Sequence, residues 1–453
     1  MIEKYYSGVI EQIYNRIGKE TRNIVMANYS NDFSIENLEV IRRYQSNEDN
    51  VFFAYSEFSY NTLVGAYEPF LDIICNMHRR FIGGSFDDFQ KECGVYYLHR
   101  QVLNSYYETG ECFREETVLL NEVAYEQRRM TMAIADMLKK LSEVKPLMIV
   151  INRFQMASKS SIETIKYLID NPCANIGIVL GVNAIVKGTD STVEVWDRIV
   201  ESLEDRSAIY YIGSAGPLKN NVKTTNDDEL YITMNFEQSI QEASNIMEFL
   251  DFEQARRGCR IIEHKLKFED AWIDEKSLRR FYMVYARTSV LLGEMSKAIE
   301  LTNEYKALIP ENDSEHYLSL YYFMKGTCYM YQGKLEKAGN SAKSAYDYAV
   351  LAEDDTLIFK AELLSVMIKM SGWYNIFFCV QDIPVSDEII EKLIKHGYRN
   401  HLAHIYIYAY DNSRDVVKQS FYDESLLKHF TKGLELAKEI GNEQLVYDAY
   451  QKT

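Results

Sequence analysis

The stretch that decides the fold is "KPLMIVINRFQMASKSSIETIKYL", residues 145–168. Its five apolar residues, 147–151, predict a short buried strand, and the helical spacing of Ile162, Ile165 and Leu168 predicts a helix. A polar break that begins with Asn152 and Arg153 separates the two elements. A strand followed directly by a helix is the unit from which parallel sheets are built, so we expect an α/β domain here.

Five further apolar segments predict strands, at residues 22–27, 51–57, 176–182, 208–213 and 230–234. Helical patterns separate most of them, which indicates a parallel sheet with helices on both faces. Residues 70–141 are helical in pattern and lack a strand signal, so we expect a helical insertion between the second and third strands. A polar segment rich in turn residues, 213–229, closes this region, and we place the domain boundary at residue 235.

From residue 236 to 453 the pattern is helical, and it contains an internal repeat. The segments "LLGEMSKAIELTNEYKALIP" (291–310) and "YQGKLEKAGNSAKSAYDYAV" (331–350) align without gaps, so that Gly293 pairs with Gly333 and Ala298 with Ala338. Gly372 lies 39 residues beyond Gly333 and predicts a third turn. Each unit then consists of a helix, a glycine turn and a helix, with small residues at the helix contacts.

These units resemble tetratricopeptide repeats, because Gly326, Tyr329, Gly333, Ala338 and Ala345 fit that consensus by position. The alternative is an unrelated array of α-hairpins, and either reading predicts an α-solenoid. The resemblance implies that the repeats bind a protein partner or a small ligand. The candidate partner-binding residues are Tyr321, Tyr322, Tyr329 and Tyr406, and we expect some of them to be exposed on the concave face. The alternative is that all four are core residues. Residues 442–453 read as the first helix of another repeat, so we expect a longer natural protein.

The order of these two regions resembles the signal transduction ATPases with numerous domains, the STAND class, and especially maltose-regulator-type proteins. Residues 147–168 match the segment around the second acidic motif of that family at Gln155, Ala157, Ser161, Glu163, Tyr167 and Leu168. The two aspartates that bind Mg²⁺ and polarise water in the family fall on Asn152 and Arg153, and a third family aspartate falls on Ser158. Residues 65–74, "GAYEPFLDII", also resemble a family element after the second strand.

The phosphate loop of that family is missing from the chain, because no G-x-x-x-x-G-K-[ST] motif occurs. Placing residues 27–35 on the family loop puts Ala27 and Asp32 on its outer glycines and Phe33 on its lysine. Ser34 is the one match. Asp32 would repel a phosphate, and Phe33 cannot neutralise one, so we expect Phe33 to be partly buried over a closed cradle. The resemblance therefore implies a degenerate nucleotide site at Ala27, Asp32, Phe33, Ser34, Asn152 and Arg153.

Composition excludes several function classes. The net charge of −17 argues against a nucleic-acid or anionic-membrane surface, and no apolar run approaches the roughly 18 residues of a membrane span. The seven cysteines form no C-x-x-C pair, which is typical of a reduced, cytoplasmic protein. His401 and His404 are three residues apart, but no third ligand is evident, so we expect structural roles and no metal. The many Tyr, Ile, Lys and Asn residues suggest a bacterial origin.

We therefore expect a degenerate P-loop NTPase-like α/β domain, residues 1–235, followed by a tetratricopeptide-like α-solenoid, residues 236–453. The leading hypothesis is a non-catalytic signalling or scaffold protein without a cofactor, part of a longer transcriptional regulator. The alternatives are a divergent but active ATP-binding enzyme and a pure protein-interaction module. Self-association stays open.

Overall fold

In the computed structural model of the protein, the described residues are 2–29, 38–46, 50–59, 63–116, 118–183, 188–189, 193–212, 224–225, 235–268, 273–312, 314–374, 387–409 and 424–452. They form two compact units. The first comprises Met1–Val95, Val102–Phe113 and Glu122–Ala271, and the second comprises Tyr96–Gln101, Arg114–Asn121 and Trp272–Thr453.

The first unit is built on a parallel sheet, as the strand predictions indicated. Within the described ranges, its five strands are ordered β2-β3-β4-β1-β6, and a separate pair joins β5 and β7. The strands are β1 (Ile24–Tyr29), β2 (Phe52–Glu57), β3 (Leu147–Asn152), β4 (Ile176–Asn183), β5 (Gly188–Thr189), β6 (Ile209–Ile212) and β7 (Thr224–Thr225). Every residue of β3 and β4 is buried, as expected for central strands covered on both faces. The strand predicted at residues 230–234 lies outside the described residues.

Helices surround this sheet. They are α1 (Ile2–Arg16), α2 (Glu39–Ser46), α3 (Phe70–Met77), α4 (Phe86–Glu92), α5 (Tyr97–Thr109), α6 (Val123–Val144), α7 (Lys159–Asp170), α8 (Val193–Asp205), α9 (Phe236–Glu248) and α10 (Phe252–Phe268). A π-helical turn, His78–Ile82, follows α3, and short 3₁₀ turns lie at Leu120–Glu122 and Phe154–Met156. Helices α3 to α6 lie between β2 and β3 in the chain, which confirms the predicted helical insertion.

Helices α9 and α10 belong to the first compact unit, although we placed the domain boundary before them. Polar contacts hold them there. Asp251, which begins α10, accepts hydrogen bonds from the backbone N–H of Ser160 at 3.0 Å and of Gln254 at 3.3 Å. One buried carboxylate thereby satisfies N–H groups at the start of both α7 and α10, where the helix dipole favours a negative charge. A helical pattern alone does not show this attachment.

The second unit is an array of helices. They are α11 (Glu275–Leu291), α12 (Met295–Ala307), α13 (Ser314–Tyr331), α14 (Leu335–Leu351), α15 (Asp355–Tyr374), α16 (Asp387–Lys395), α17 (Arg399–His404), α18 (Glu424–Ile440) and α19 (Glu443–Lys452). A second π-helical turn, Ile405–Ala409, follows α17.

The glycine turns of the first two hairpins are equivalent, which confirms the predicted repeat. Gly293 and Gly333 both have left-handed backbones, with φ of 77° and 70°. The N–H of the next residue bonds back to the preceding helix at the same offset in each turn, Glu294 to Ser289 O at 2.8 Å and Lys334 to Tyr329 O at 2.9 Å. A helix end with this geometry favours glycine at the turn, because other residues are strained at positive φ.

Small residues make the close helix contacts of the second hairpin. Ala338 is fully buried, and a Cβ atom added to Gly326 would lie 3.0 Å from Leu364 Cδ2 and 3.3 Å from Ser341 Cβ. The third predicted turn is wrong: Gly372 lies inside α15, whose 20 residues continue to Tyr374. The segment that joins α15 to α16 lies outside the described residues.

Candidate functional site

The candidate site lies at the carboxyl edge of the sheet. Because the strands are parallel, β1, β3 and β4 end on the same side, where ligands bind in open α/β sheets. Strand β4 lies between β1 and β3. The last residues of these three strands, Tyr29, Asn152 and Asn183, therefore come from distant parts of the sequence and share one edge.

A hydrogen bond joins β1 to β3 across this edge. The Tyr29 hydroxyl donates to Asn152 Oδ1 at 2.7 Å, and both side chains are fully buried. The Asn152 side-chain oxygen thus already accepts a hydrogen bond from a tyrosine of the first strand.

Gly181 of β4 makes room for this arrangement. A Cβ atom at position 181 would collide with the Tyr6 hydroxyl and would lie 2.8 Å from Asn152 Oδ1. Tyr6 reaches the edge from α1, and its ring meets that of Tyr29 edge to face at 6.2 Å. Burial raises the pKa of Tyr6, and nearby Tyr55 and Glu57 raise it further, so the phenol stays neutral. The side chains of Tyr6, Tyr29 and Asn152 therefore lie close together near the carboxyl ends of β1 and β3.

Arg153 is turned away from a role in phosphate binding. Its backbone is left-handed, with φ of 56°, and its Nη1 lies 2.8 Å from Glu57 Oε1 at the end of β2. Glu57 also accepts a hydrogen bond from Tyr55. The sequence analysis missed Glu57, a carboxylate at the carboxyl edge, because no motif marks it. Arg153 neutralises this carboxylate, which leaves neither group as an unpaired charge.

The β3–α7 connection keeps its predicted form without the family's third aspartate. Ser158 is the N-cap of α7, and its Oγ accepts from the N–H of Ser161 at 3.4 Å. Serine caps a helix about as well as aspartate, so α7 is capped here without a negative charge. Gln155 Oε1 accepts from the N–H of Asn183 at 3.2 Å and links this connection to the end of β4.

Strand β1 runs two residues beyond Ala27, which we placed on the first glycine of the phosphate loop. Ala27 is buried in the middle of the sheet, where it pairs with Gly181 of β4 and Tyr210 of β6. Asn28 and Tyr29 continue the same ladder. A loop cannot begin at Ala27, because the strand pairing extends past it. Asp32, Phe33 and Ser34, and with them the expected burial of Phe33, lie outside the described residues.

The first unit also contains a cavity that the sequence did not predict. It has a volume of about 290 Å³, and its carboxylates are Glu68, Asp72 and Glu242. Burial, and then the charges of Glu68 and Asp72, raise the pKa of Glu242 to about 7. Burial also raises the pKa of Glu68. Glu68 and Asp72 stand four residues apart in the sequence, but Glu242 is on α9, so sequence spacing could not bring the three together.

The four candidate tyrosines of the repeats are not exposed, contrary to our expectation. Tyr321 is buried, and its hydroxyl accepts from Lys325 Nζ at 2.8 Å. Tyr406 is buried in a core cluster that includes Phe359 and Leu402. Tyr322 and Tyr329 are half-buried: the first stacks on Tyr348, and the second packs against the cluster around Ala338. These side chains pack between helices. The sequence pattern alone does not distinguish such tyrosines from exposed ones.

The histidine pair is buried in the second unit. His401 Nδ1 lies 2.6 Å from Glu116 Oε1, which also accepts from the His401 N–H. His404 is buried as well. Within the ranges given above, no group of three or more His, Cys, Asp and Glu side chains is placed to hold a metal ion. None of the helices described here has the length and apolar character needed to cross a membrane.

Comparisons with known proteins give a distant structural similarity. No family model matches the chain, and no curated protein matches it. Among solved structures, the chain is similar to a signal transduction ATPase with numerous domains (STAND) protein with a tetratricopeptide repeat sensor from Pyrococcus horikoshii. The sequence identity is 12%, the TM-score is 0.40, and the match covers 95% of this chain and 77% of that chain. A similarity this distant concerns coarse architecture, and it assigns no activity and no site residue.

Proposed function

We propose that the protein is a non-catalytic signalling or scaffold protein, in which the sheet unit does not hydrolyse nucleotide and the helical repeats bind a partner or ligand. The hydrogen bond from Tyr29 to Asn152 Oδ1 carries this proposal, because it occupies the site where catalysis would need a metal ligand. A cytoplasmic location and a role in transcription regulation belong to the same proposal and follow from the resemblance alone.

The residues at the carboxyl edge do not fit a Mg²⁺–nucleotide complex. Phosphoryl transfer relies on a carboxylate that holds Mg²⁺ and on cations that neutralise the phosphates. Asn152 offers a neutral amide, a weaker ligand for a hard cation, and its oxygen already accepts a hydrogen bond. Arg153 is paired with Glu57, so its charge is already balanced within the sheet unit. No catalytic step can be derived from this set of groups.

The rival function is a divergent, active nucleotide enzyme, and Glu57 is the observation in its favour. Glu57 is a carboxylate at the end of β2, the neighbour of β3 in the sheet. It would have to exchange Arg153 for a metal ion, and this exchange would leave a partly buried guanidinium without its partner. The cost of an unpaired buried charge disfavours that rearrangement.

Steady-state hydrolysis of ATP and GTP with Mg²⁺ tests the proposal. We expect phosphate release by the purified protein to equal release in protein-free buffer. Turnover that is lost in Asn152→Ala and kept in Asn171→Ala, an exposed control just after α7, would overturn it. Thermal unfolding of both variants would show whether lost turnover reflects unfolding.

A further inference from the structure

A groove in the second unit lies outside every feature that the sequence predicted. It has a volume of about 350 Å³ and is lined by residues of α14, α15 and α16. Of the four candidate tyrosines, Tyr321, Tyr322, Tyr329 and Tyr406, none lines this groove.

The three lysines of the groove differ in whether they form ion pairs. Lys392 is paired with two carboxylates, because its Nζ lies 2.8 Å from Glu362 Oε2 and 3.0 Å from Glu388 Oε1. Lys343 and Lys369 are exposed, and neither forms an ion pair with any residue that the structure describes. Two cations thus face the groove without a carboxylate of their own, in a chain whose net charge is −17.

Apolar surface accompanies these lysines. Val366 on α15 and Ile389 on α16 form a buried apolar floor, while Tyr346 on α14 is 39% exposed. Val350 and Leu351, one turn further along α14, are 45% and 68% exposed. Lys343, Tyr346 and Val350 are spaced three and four residues apart, so they share one face of the helix. Contiguous exposed apolar residues beside a groove are typical of an interaction surface, whereas single scattered ones are not.

We propose that this groove binds a segment of a partner protein that carries an acidic side chain next to an apolar one. The acidic group would pair with Lys343 and Lys369, and the apolar group would cover Tyr346 and the floor. Charge complementarity favours a protein segment over a nucleic acid, because Glu362 and Glu388 already line the groove and would repel a run of phosphates. The inference rests on the proposed function, in which the repeats bind a partner.

A random peptide library displayed on phage provides an unbiased probe. We expect peptides selected on the wild-type protein to share an acidic residue beside an apolar or aromatic one. The double variant Lys343→Glu, Lys369→Glu should bind these synthetic peptides at least about tenfold more weakly. The matched control, Lys276→Glu with Lys337→Glu, makes the same charge change at exposed positions outside the groove and should bind like wild type. Unchanged thermal unfolding of both variants would establish that they fold.

Several outcomes would overturn this assignment and leave the proposed function standing. Peptides that bind the groove variant and the wild type equally well would show that the repeats bind partners elsewhere. Selection of no peptide, or of peptides without acidic residues, would also reject the groove as an acidic-segment site. A labelled oligonucleotide that binds wild type and not the groove variant would assign the groove to nucleic acid instead. The hydrolysis assay tests the proposed function independently of all of these results.

Discussion

The hydroxyl of Tyr29 and the side-chain oxygen of Asn152 lie 2.7 Å apart across the carboxyl edge of the sheet, although 123 residues separate them in the sequence. Strand β4 lies between their strands, and its Gly181 has no side chain to crowd Asn152 Oδ1 and the Tyr6 hydroxyl. This contact links the ends of β1 and β3 through a buried hydrogen bond.

Replacing Tyr29 with phenylalanine should destabilise the protein by about 1–2 kcal/mol, because it removes a buried hydrogen bond and deprives Asn152 Oδ1 of a donor. Chemical denaturation of the first unit's cooperative transition measures this loss. Tyr5→Phe is the control, since Tyr5 is 54% exposed on α1, and it should change the free energy of unfolding by less than about 0.5 kcal/mol. Equal effects of the two substitutions would contradict the contact.

Gly181→Ala should destabilise the first unit by about 1–3 kcal/mol through overpacking, because the new Cβ collides with the Tyr6 hydroxyl and crowds Asn152. The same substitution in a Tyr6→Leu background should cost less, which a double-mutant cycle would detect. Gly8→Ala is the matched control. Nothing lies within 4 Å of a Cβ at Gly8 in α1, so that change should be neutral or stabilise the helix by up to about 1 kcal/mol.

The repeat turn gives a second matched pair of glycines. Gly333→Ala should destabilise the second unit by about 1 kcal/mol, because its φ of 70° strains any residue with a Cβ atom. Gly339→Ala, inside α14 with open space around it, should stabilise by about 0.5–1 kcal/mol. Thermal unfolding compares the two variants directly. Effects of the same sign would remove the support for a glycine-specific turn.

The acidic cavity predicts a pH dependence. The pKa of Glu242 rises from 4.5 in the unfolded chain to about 7 in the folded protein, so the folded state binds more protons between these values. Stability is therefore fully present below about pH 4.5 and falls as the pH rises through about 7. Glu242→Gln should flatten this fall and stabilise the protein at pH 8 by about 1–3 kcal/mol. Glu237→Gln, exposed on the same helix, should leave the pH profile unchanged; a profile unaltered by Glu242→Gln would contradict the assignment.

The sequence predicted elements more successfully than it predicted surfaces. Residues 147–152 form β3 as expected, because a run of apolar residues before a polar break has few alternatives to a buried strand. The equivalence of Gly293 and Gly333 was also readable, since a glycine at fixed spacing reports a backbone conformation. The sequence did not predict which side chains are exposed to solvent. Tyr321 and Tyr406 are buried because of neighbours on other helices.

The sequence predicted some residues of the candidate site and missed others. The apolar run 147–151 predicted a strand that ends near Asn152 and Arg153, and a strand end fixes which side of a parallel sheet a residue occupies. The partners Tyr29, Tyr6 and Glu57 were missed. They come from two other strands and from α1, and only the strand order β2-β3-β4-β1-β6 brings them to the same edge. No local pattern encodes that order.

The central claim, that the carboxyl edge is closed to Mg²⁺–nucleotide, is tested most directly by isothermal titration calorimetry. ATP and ADP, each with Mg²⁺, are titrated into the wild-type protein and into Asn152→Ala. The account predicts no saturable heat from either nucleotide, because Asn152 already accepts a hydrogen bond from Tyr29 and Arg153 is paired with Glu57. Saturable binding to the wild type that is lost in Asn152→Ala and kept in Asn171→Ala would contradict it.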